Sequence, residues 1–299
     1  MRTNDTLLIA IGFVLLWNSG FIGAEYGLPY TGPFTLLFWR YLALTGILFL
    51  YLALRNRFRW VGWAGASAHM TVGVLAHGVW LGCVLLALDH EVPAGIVALV
   101  VALQPMATGA FSGLATGEPT PVIRWIGLLI GFAGVAIPIA SRIDLQDAAS
   151  VFGYLVPLGS VVAITIASLI QRRMKVTQDV KRLPLDLTLF YQCLGTAAVM
   201  AIPAVFAERL ATEWTASFAY TMLWLILAVS LGAYGLMWLL IERMDATRVA
   251  SLFYLGPPVT MLMAWIAFGD VLQVMDIVGL AVVFAGVWVT QTNLSKAKI

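Results

Sequence analysis

Residues 94–135 read AGIVALVVALQPMATGAFSGLATGEPTPVIRWIGLLIGFAGV, and residues 246–287 read ATRVASLFYLGPPVTMLMAWIAFGDVLQVMDIVGLAVVFAGV. Aligned without a gap, the two stretches share 15 of 42 positions. Pro105 matches Pro257, and both stretches end in FAGV. An apolar composition produces chance matches of Ala, Val, Leu and Gly, but matching prolines in one register are much harder to obtain by accident. The sequence therefore indicates an internal duplication at a shift of 152 residues.

The composition indicates an integral membrane protein. Of the 299 residues, 61% are hydrophobic and 11% are charged, and the mean hydropathy is +0.94. A soluble domain carries about 25% charged residues. Too few polar side chains are present to cover a water-facing surface, so much of the surface is expected to face lipid.

The hydropathy pattern predicts an all-α transmembrane fold of ten spanning helices. A helix needs about 20 apolar residues to cross the hydrocarbon core. Charge clusters and Pro/Gly punctuation divide the chain into ten such runs, at residues 6–24, 33–53, 66–88, 92–115, 122–141, 149–171, 184–206, 217–241, 246–268 and 273–291. We assign residues 1–141 to the first repeat and residues 149–291 to the second.

Basic residues predict the orientation, because cytoplasmic loops are enriched in Lys and Arg. A cytoplasmic N-terminus leaves only Arg142 and Arg209 outside. The first apolar run follows Arg2 without a cleavage site, so it is predicted to be a retained helix. The residues predicted to lie inside are Arg2, Arg55, Arg57, Arg59, Arg124, Arg172, Arg173, Lys175, Lys181, Arg182, Arg243, Arg248, Lys296 and Lys298.

Each predicted repeat has an odd number of spans, so the second repeat must enter the membrane upside down relative to the first. Both termini are then cytoplasmic. Inverted repeats about an axis in the membrane plane are common in secondary transporters, whose substrate sites lie near the midplane between the repeats. The sequence thus predicts a multi-pass inner-membrane transporter.

Several motifs carry a family resemblance. They are Trp17-Asn18-Ser19, Pro33-Phe34 with Arg40, the series Ala94, Ala98, Pro105 and Glu118 with Gly127 and Gly134, and its repeat Ala246, Ala250, Pro257 and Asp270 with Gly279 and Gly286. Because these motifs occur in this order and in both halves, the chain resembles the EamA-type drug/metabolite transporters. Those proteins are ten-helix exporters with two inverted halves. Three positions depart from the family pattern, since Asn18 replaces a common glycine, Asp270 a glutamate and Gln192 a half-repeat arginine.

Within that family the chain most resembles the aromatic amino acid exporters of the YddG type. The resemblance implies a secondary transporter that exports small amphipathic metabolites, amino acids with an aromatic preference foremost, by alternating access around a midplane cavity. Its partners would be the small-molecule substrate and the lipid bilayer. We expect a monomer without a nucleic-acid partner, cofactor or metal.

Polar and aromatic residues near the middle of the spans are candidates for substrate binding, because unsatisfied polar groups are costly there. His77 could hydrogen-bond substrate and change its protonation, or remain neutral on a neighbouring helix. The tryptophans could stack on an aromatic cargo, although Trp is also common at membrane interfaces. The candidates are Trp17, Asn18, His77, Trp80, Gln104, Tyr234 and Tyr254, with Trp238 as a further aromatic wall.

Three residues are candidates for a gate or hinge. Arg40 could snorkel to the outer interface, bind a substrate carboxylate or stabilise a closed gate. Pro105 and Pro257 each remove a helical hydrogen bond, which makes them hinges or static kinks. Their recurrence in both halves favours a mechanical role.

Other classes of membrane protein fit less well. An intramembrane enzyme needs a catalytic dyad or clustered metal ligands within the spans, and we expect no catalytic activity. A channel needs charged rings or carbonyl-rich filters, and a sugar-phosphate carrier needs several midplane cations. Cys83 and Cys193 lie in apolar runs and are expected to be structural thiols. Glu118 and Asp270 lie near helix ends, which argues against a midplane carboxylate relay.

Overall fold

The computed structural model describes residues 3–117, 120–177, 183–243, 249 and 251–292. Those residues form helices joined by short turns, with one isolated bridge between Thr31 and Thr212. Several residues used in the sequence predictions lie outside the described part of the chain, namely Arg2, Glu118, Lys181, Arg182, Ala246, Arg248, Ala250, Lys296 and Lys298.

The longer helical segments agree with the predicted apolar runs to within a few residues at most ends. They are α1 Thr3–Gly27, α2 Pro33–Leu54, α3 Gly62–Asp89, α4 Ala94–Ala110, α5 Val122–Arg142, α6 Ala148–Thr177, α7 Leu185–Phe206, α8 Ala216–Arg243, α9 Phe253–Phe268 and α10 Val274–Thr292. Seven of the described helices are long and apolar enough to cross a membrane, and α4, α9 and α10 are shorter apolar helices. That all ten segments cross the membrane stays a prediction.

The two halves share helix ends at the shift of 152 residues. Helix α2 begins at Pro33 and α7 begins at Leu185, and both are 22 residues long. Gly117 and Gly269 adopt φ angles of 72° and 77° after the last turns of their helices. Glycine takes this left-handed conformation without a Cβ penalty, so the repeated glycine ends corresponding helices at the same place.

Helices α3 and α8 share an irregularity. Each contains a π-helical segment, at Val74–Val79 in α3 and at Trp224–Ala233 in α8. In the repeat alignment, at the shift of 152 residues, the first segment corresponds to positions within the second. Segments of π-helix insert an extra residue into the helical repeat and are frequent at functional sites. Here they turn His77 and Ser230 toward the centre of the bundle, where both side chains contact polar partners.

Helices α4 and α9 are interrupted in front of their prolines. In α4 the α-helix stops after Val101 and resumes at Gln104, next to Pro105. In α9 a 3₁₀ turn at Phe253–Leu255 precedes the α-helix that contains Pro257. Proline cannot donate the next helical hydrogen bond and crowds the preceding turn. The predicted breaks near the two prolines are confirmed, and their role as hinges stays a prediction.

Helix packing is reciprocal between the halves. Helix α3 packs on α6 as α8 packs on α1, and α4 packs on α6 as α9 packs on α1. Helices α2 and α7, α4 and α9, and α5 and α10 pack on each other. Each of these pairings is reproduced when α1–α5 are exchanged with α6–α10, as a two-fold relation between the halves would require. The inversion of the halves relative to a membrane stays a prediction.

Large apolar side chains cover the outside of the bundle. Leu129 on α5 is 68% exposed, Ile202 on α7 is 60% exposed and Ile266 on α9 is 70% exposed. Large apolar side chains that are exposed on several helices are typical of contact with a membrane or another protein. Together with the length of the helices, it indicates a lipid-facing belt.

Cysteine labelling would test the predicted orientation. In a variant lacking Cys83 and Cys193, we expect Arg57→Cys to react with an impermeant thiol reagent only from the cytoplasm, and Glu91→Cys only from outside. Loss of the exposed Arg57–Asp186 ion pair should cost no more than about 1 kcal/mol. Labelling of both positions from one face would contradict the orientation.

Candidate functional site

A large cavity extends from one end of the bundle to its centre. Its volume is about 630 Å³, which lies within the range of small-molecule sites. The mouth is formed where α4 ends, α5 begins and α6 ends, and it carries Arg124 and Arg172. The Arg124 guanidinium donates through Nη1 to the Gly109 carbonyl at 3.3 Å and to Ser112 Oγ at 3.0 Å. The mouth of the cavity therefore has a cationic rim.

Aromatic rings from both halves form the inner end of this cavity. The Trp17 ring centroid lies 6.5 Å from that of Trp80 and 5.2 Å from that of Phe253. The Trp17 and Phe253 planes are at 90°, which is a favourable edge-to-face arrangement. Tyr254 lines the same cavity. This end can contact a flat apolar group on several sides.

Two of the predicted polar candidates line the large cavity. Asn18 donates through Nδ2 to the Val14 carbonyl at 2.7 Å, and its Oδ1 accepts from Thr260 Oγ1 at 3.1 Å. Its amide thus joins α1 to α9, and a role in substrate binding stays a prediction. Gln104 lines the cavity beside Pro105, directly after the break in α4. A regular helix would pair its backbone polar groups with one another at this depth. The break instead places the polar Gln104 side chain at the cavity.

A second, smaller chamber adjoins the first behind the two tryptophans. Its volume is about 50 Å³, and Trp17, Phe21 and Trp80 line both spaces. Arg40 and His77 line the chamber on the far side from the large cavity, together with Tyr41 and Tyr234. The predicted site residues are therefore divided between two adjoining spaces. Trp17, Asn18, Trp80, Gln104, Pro105, Tyr254 and Pro257 line the larger one, and Trp17, Arg40, His77, Trp80 and Tyr234 line the smaller one.

Two polar contacts join chamber residues to helices of the other half. Arg40 on α2 donates through Nε and Nη2 to Ser230 Oγ on α8, at 3.0 and 2.8 Å. Gln192 Oε1 on α7 lies 3.3 Å from His77 Nε2 on α3. A neutral imidazole with its proton on Nε2 donates to this oxygen. Arg40 is only 6% exposed, so it does not snorkel to the interface.

The opposite end of the bundle is closed. The Glu208 carboxylate after α7 accepts from the backbone N–H groups of Phe34 and Thr35 at 3.1 and 2.7 Å, which caps the N-terminus of α2. An anion at a helix N-terminus is favourable because it complements the helix dipole. Arg142 at the end of α5 binds Asp276 in the first turn of α10, with Nε 3.2 Å from Oδ1.

Helices α4 and α9 meet directly at the closed end. A Cβ atom added to Gly95 would lie 3.2 Å from Met261 Cα. Nearby, burial raises the pKa of the Asp270 carboxyl above its ordinary value, and the charge of Arg142 opposes this shift. Among the described residues, the cavity is lined by Arg124 and Arg172 at its mouth and by no residue of this closed end.

Sequence reasoning misplaced one aromatic residue and missed several polar ones. Trp238 lines neither of the two spaces and is 37% exposed, so the prediction that it forms an aromatic wall there is wrong. The sequence does not show which side of its helix Trp238 faces, because an indole ring is stable both against lipid and in a cavity. Ser230 was detectable in the repeat alignment, since it corresponds to Gly78 next to His77. The other lining residues that the sequence prediction missed include Phe21, Tyr41, Thr108, Ser168 and Phe253.

The chain matches one protein-family model twice. Residues 5–139 and residues 151–292 each match the EamA-like transporter family. The two matches fall in the two halves that the internal duplication predicts. The predicted repeat boundaries at residues 141 and 149 stay a prediction.

Full-length relatives carry transporter names. The Uncharacterized transporter YvbV of Bacillus subtilis is 27% identical, with 99% of this chain and 94% of that protein aligned. The Uncharacterized inner membrane transporter YedA of Escherichia coli K12 is 28% identical, over 92% of this chain and 87% of YedA. A protein of Salmonella typhimurium named Probable amino-acid metabolite efflux pump is 23% identical, over 94% of this chain and 93% of that protein.

One solved crystal structure aligns over 100% of both chains with a TM-score of 0.63. Its sequence identity with this chain is 19%. At this identity the likeness concerns the fold alone.

Proposed function

Because the chain belongs to the EamA-like transporter family, we propose that it exports small amphipathic metabolites across the inner membrane, amino acids with aromatic side chains foremost. The observation that carries this proposal is the large cavity, which ends at the centre of the bundle in a cluster of aromatic rings. Stacking and apolar contact favour an aromatic cargo there. The relative from Salmonella that is named for amino-acid metabolite efflux supports the same substrate class.

The access state follows from the charge at the mouth of the cavity. Arg124 and Arg172 lie at the mouth, and the positive-inside rule assigns this end to the cytoplasm. The structure would then represent an inward-open state, in which an exporter loads its cargo. Alternating access would next close this end and open the end at which Gly95 contacts Met261.

The breaks in α4 and α9 supply the flexible points for this change. Both breaks lie beside the large cavity, and Pro105 and Pro257 line it. A helix that has lost backbone hydrogen bonds at one turn bends there at lower cost than an intact helix. We therefore propose that the cavity-lining parts of α4 and α9 tilt about these prolines while the paired α5 and α10 stay together.

Transport by purified protein in liposomes tests the proposed cargo. We expect uptake of tryptophan and phenylalanine to exceed uptake of alanine, and a sugar not to be transported. Trp17→Ala should lower tryptophan uptake about 5- to 100-fold, because loss of an apolar fit costs about 1–3 kcal/mol. Uptake of alanine should change less, since its side chain does not reach the ring.

The matched control is Trp265→Ala. Trp265 lies on α9 and is 56% exposed on the outside of the bundle, so its removal should leave selectivity unchanged. Transport of sugars without any amino acid would reject the proposed cargo. Transport of other amphipathic compounds but no amino acid would restrict the conclusion to metabolite or drug export.

A further inference from the structure

Two buried hydrogen-bond donors line the small chamber behind Trp17, which Tyr41, His77 and Tyr234 also line. Arg40 is 6% exposed and Trp80 is 8% exposed, and both line the chamber. Both side chains can only donate hydrogen bonds. In the described part of the chain no carboxylate lies within ion-pair distance of Arg40, since the two ion pairs there are Arg57–Asp186 and Arg142–Asp276.

The buried guanidinium is only partly satisfied. Its Nε and Nη2 atoms share one acceptor, Ser230 Oγ. The Ser230 hydroxyl donates in turn to the Leu225 carbonyl at 2.9 Å, within the π-helical segment of α8. Its proton is thus directed away, and its lone pairs face Arg40. Arg40 Cζ also lies 5.9 Å from the centroid of the Tyr41 ring, but this contact supplies no counterion. Burial of a cation without a counterion is unfavourable, and an anion in the chamber would remove this cost.

Trp80 provides an independent observation. Its Nε1 atom is buried and has no hydrogen-bond acceptor among the described residues. Buried indole N–H groups usually find a partner. Because Trp80 borders the chamber, an acceptor in the chamber would be the partner that this N–H lacks.

We propose that this chamber is a carboxylate subsite, in which Arg40 and the Trp80 indole N–H bind the carboxylate of the exported molecule. The volume of about 50 Å³ equals the volume that about one or two water molecules occupy in the liquid. A single carboxylate group fits a space of this size. The rest of the molecule would lie against the aromatic rings in the large cavity. This inference rests on the proposed function and narrows its substrates to organic acids and zwitterions.

Isosteric ligands test the subsite. We would measure binding of tryptophan against tryptophanamide, and of indole-3-propionate against indole-3-propionamide, by titration calorimetry on the purified protein. Each amide keeps the shape of its partner and loses the negative charge. Because hydrogen bonds to charged groups are the strong ones, we expect each amide to bind about 10- to 100-fold more weakly. Equal binding within either pair would overturn the proposal.

Conservative variants test whether the two donors cause the preference for the acid over the amide. Trp80→Phe keeps a ring and removes the N–H, and Arg40→Lys keeps the charge and removes the fork of donors. We expect either variant to reduce the acid-over-amide ratio about 10-fold. A purely structural role would weaken acid and amide equally and leave the ratio unchanged, which would also overturn the proposal. Trp265→Phe on the lipid-facing surface is the control.

The outcomes separate this subsite from the proposed function. If tryptophan and its amide are bound and transported equally well, amino acid export survives and the subsite is rejected. If indole-3-propionate is bound and transported but no amino acid is, the subsite survives and amino acid export is rejected. Binding of neither acid would reject the subsite.

Discussion

A disulfide between Gly95→Cys and Met261→Cys is expected to stop transport completely. These residues lie where α4 meets α9 at the closed end of the bundle, and a Cβ atom on Gly95 would be 3.3 Å from Met261 Cβ. Disulfide Cβ atoms are typically about 3.5–4.5 Å apart, so a small shift allows the bond. Alternating access requires this end to open, and a covalent bond would prevent that.

The internal repeat explains why this contact should be a gate. At the shift of 152 residues, Met261 corresponds to Gly109 and Gly95 to Thr247. Gly109 lines the open cavity, and the nearest atom to a Cβ placed there is Arg124 Cδ at 4.0 Å. Thr247 lies outside the described residues. We infer that Gly109 becomes packed in the outward-open state, as its counterpart Met261 is packed against Gly95 here.

The measurement needs a variant without the native thiols, in which Cys83 and Cys193 are replaced by Ala. Tryptophan uptake into liposomes would be compared before oxidation, after oxidation and after reduction. Each single cysteine variant is a control for the substitution itself, and mass spectrometry would verify the bond. Oxidised protein that transports at the reduced rate would contradict the gate.

Gly134→Leu is expected to prevent stable packing of α5 on α10. A Cβ atom at Gly134 would lie 2.7 Å from the Val283 nitrogen and 2.9 Å from the Gly279 oxygen. Both are backbone atoms, which cannot move aside as a flexible side chain can. Even modest overpacking costs about 1–3 kcal/mol, and a leucine here would force the two helices apart. We expect loss of the monodisperse peak in size-exclusion chromatography.

The control for this substitution is Gly46→Leu on α2. A Cβ atom at Gly46 meets nothing within 4 Å, and the residue is exposed on the outside of the bundle. Leucine should be accepted at a lipid-facing position, so this variant should elute and melt like the parent protein. A Gly134→Leu variant that melts within a degree or two of Gly46→Leu would show that the close crossing is unnecessary.

The contact between α5 and α10 at their glycines also contains information that the repeat alignment lacks, namely which glycines touch. Gly127 and Gly134 correspond to Gly279 and Gly286 at the shift of 152 residues. In the structure Gly127 lies against Gly286, and Gly134 lies against Gly279. Each glycine thus contacts the counterpart of the other one, as two-fold symmetry demands. The alignment identified the four positions, but only the packing showed which pairs touch.

Helix positions and the duplication were predictable because their signals are local. Hydrocarbon thickness sets the length of an apolar run, and Pro or Gly interrupts it. The break before Pro105 and the left-handed Gly117 recur at Pro257 and Gly269 because the same residues recur. No tertiary contact is needed to produce either feature.

The direction in which each side chain points was decided by the tertiary structure alone. In a soluble helix the polar face points to water, but in a membrane bundle lipid and packed interior are both apolar, so composition does not separate the faces. Trp80 therefore faces the site and Trp238 does not, although both are tryptophans within long apolar helices. Likewise, Arg40 is buried against Ser230 rather than at the interface because the π-helical segment of α8 turns Ser230 inward. That contact joins residues 190 positions apart, and such a pairing arises only when the helices pack.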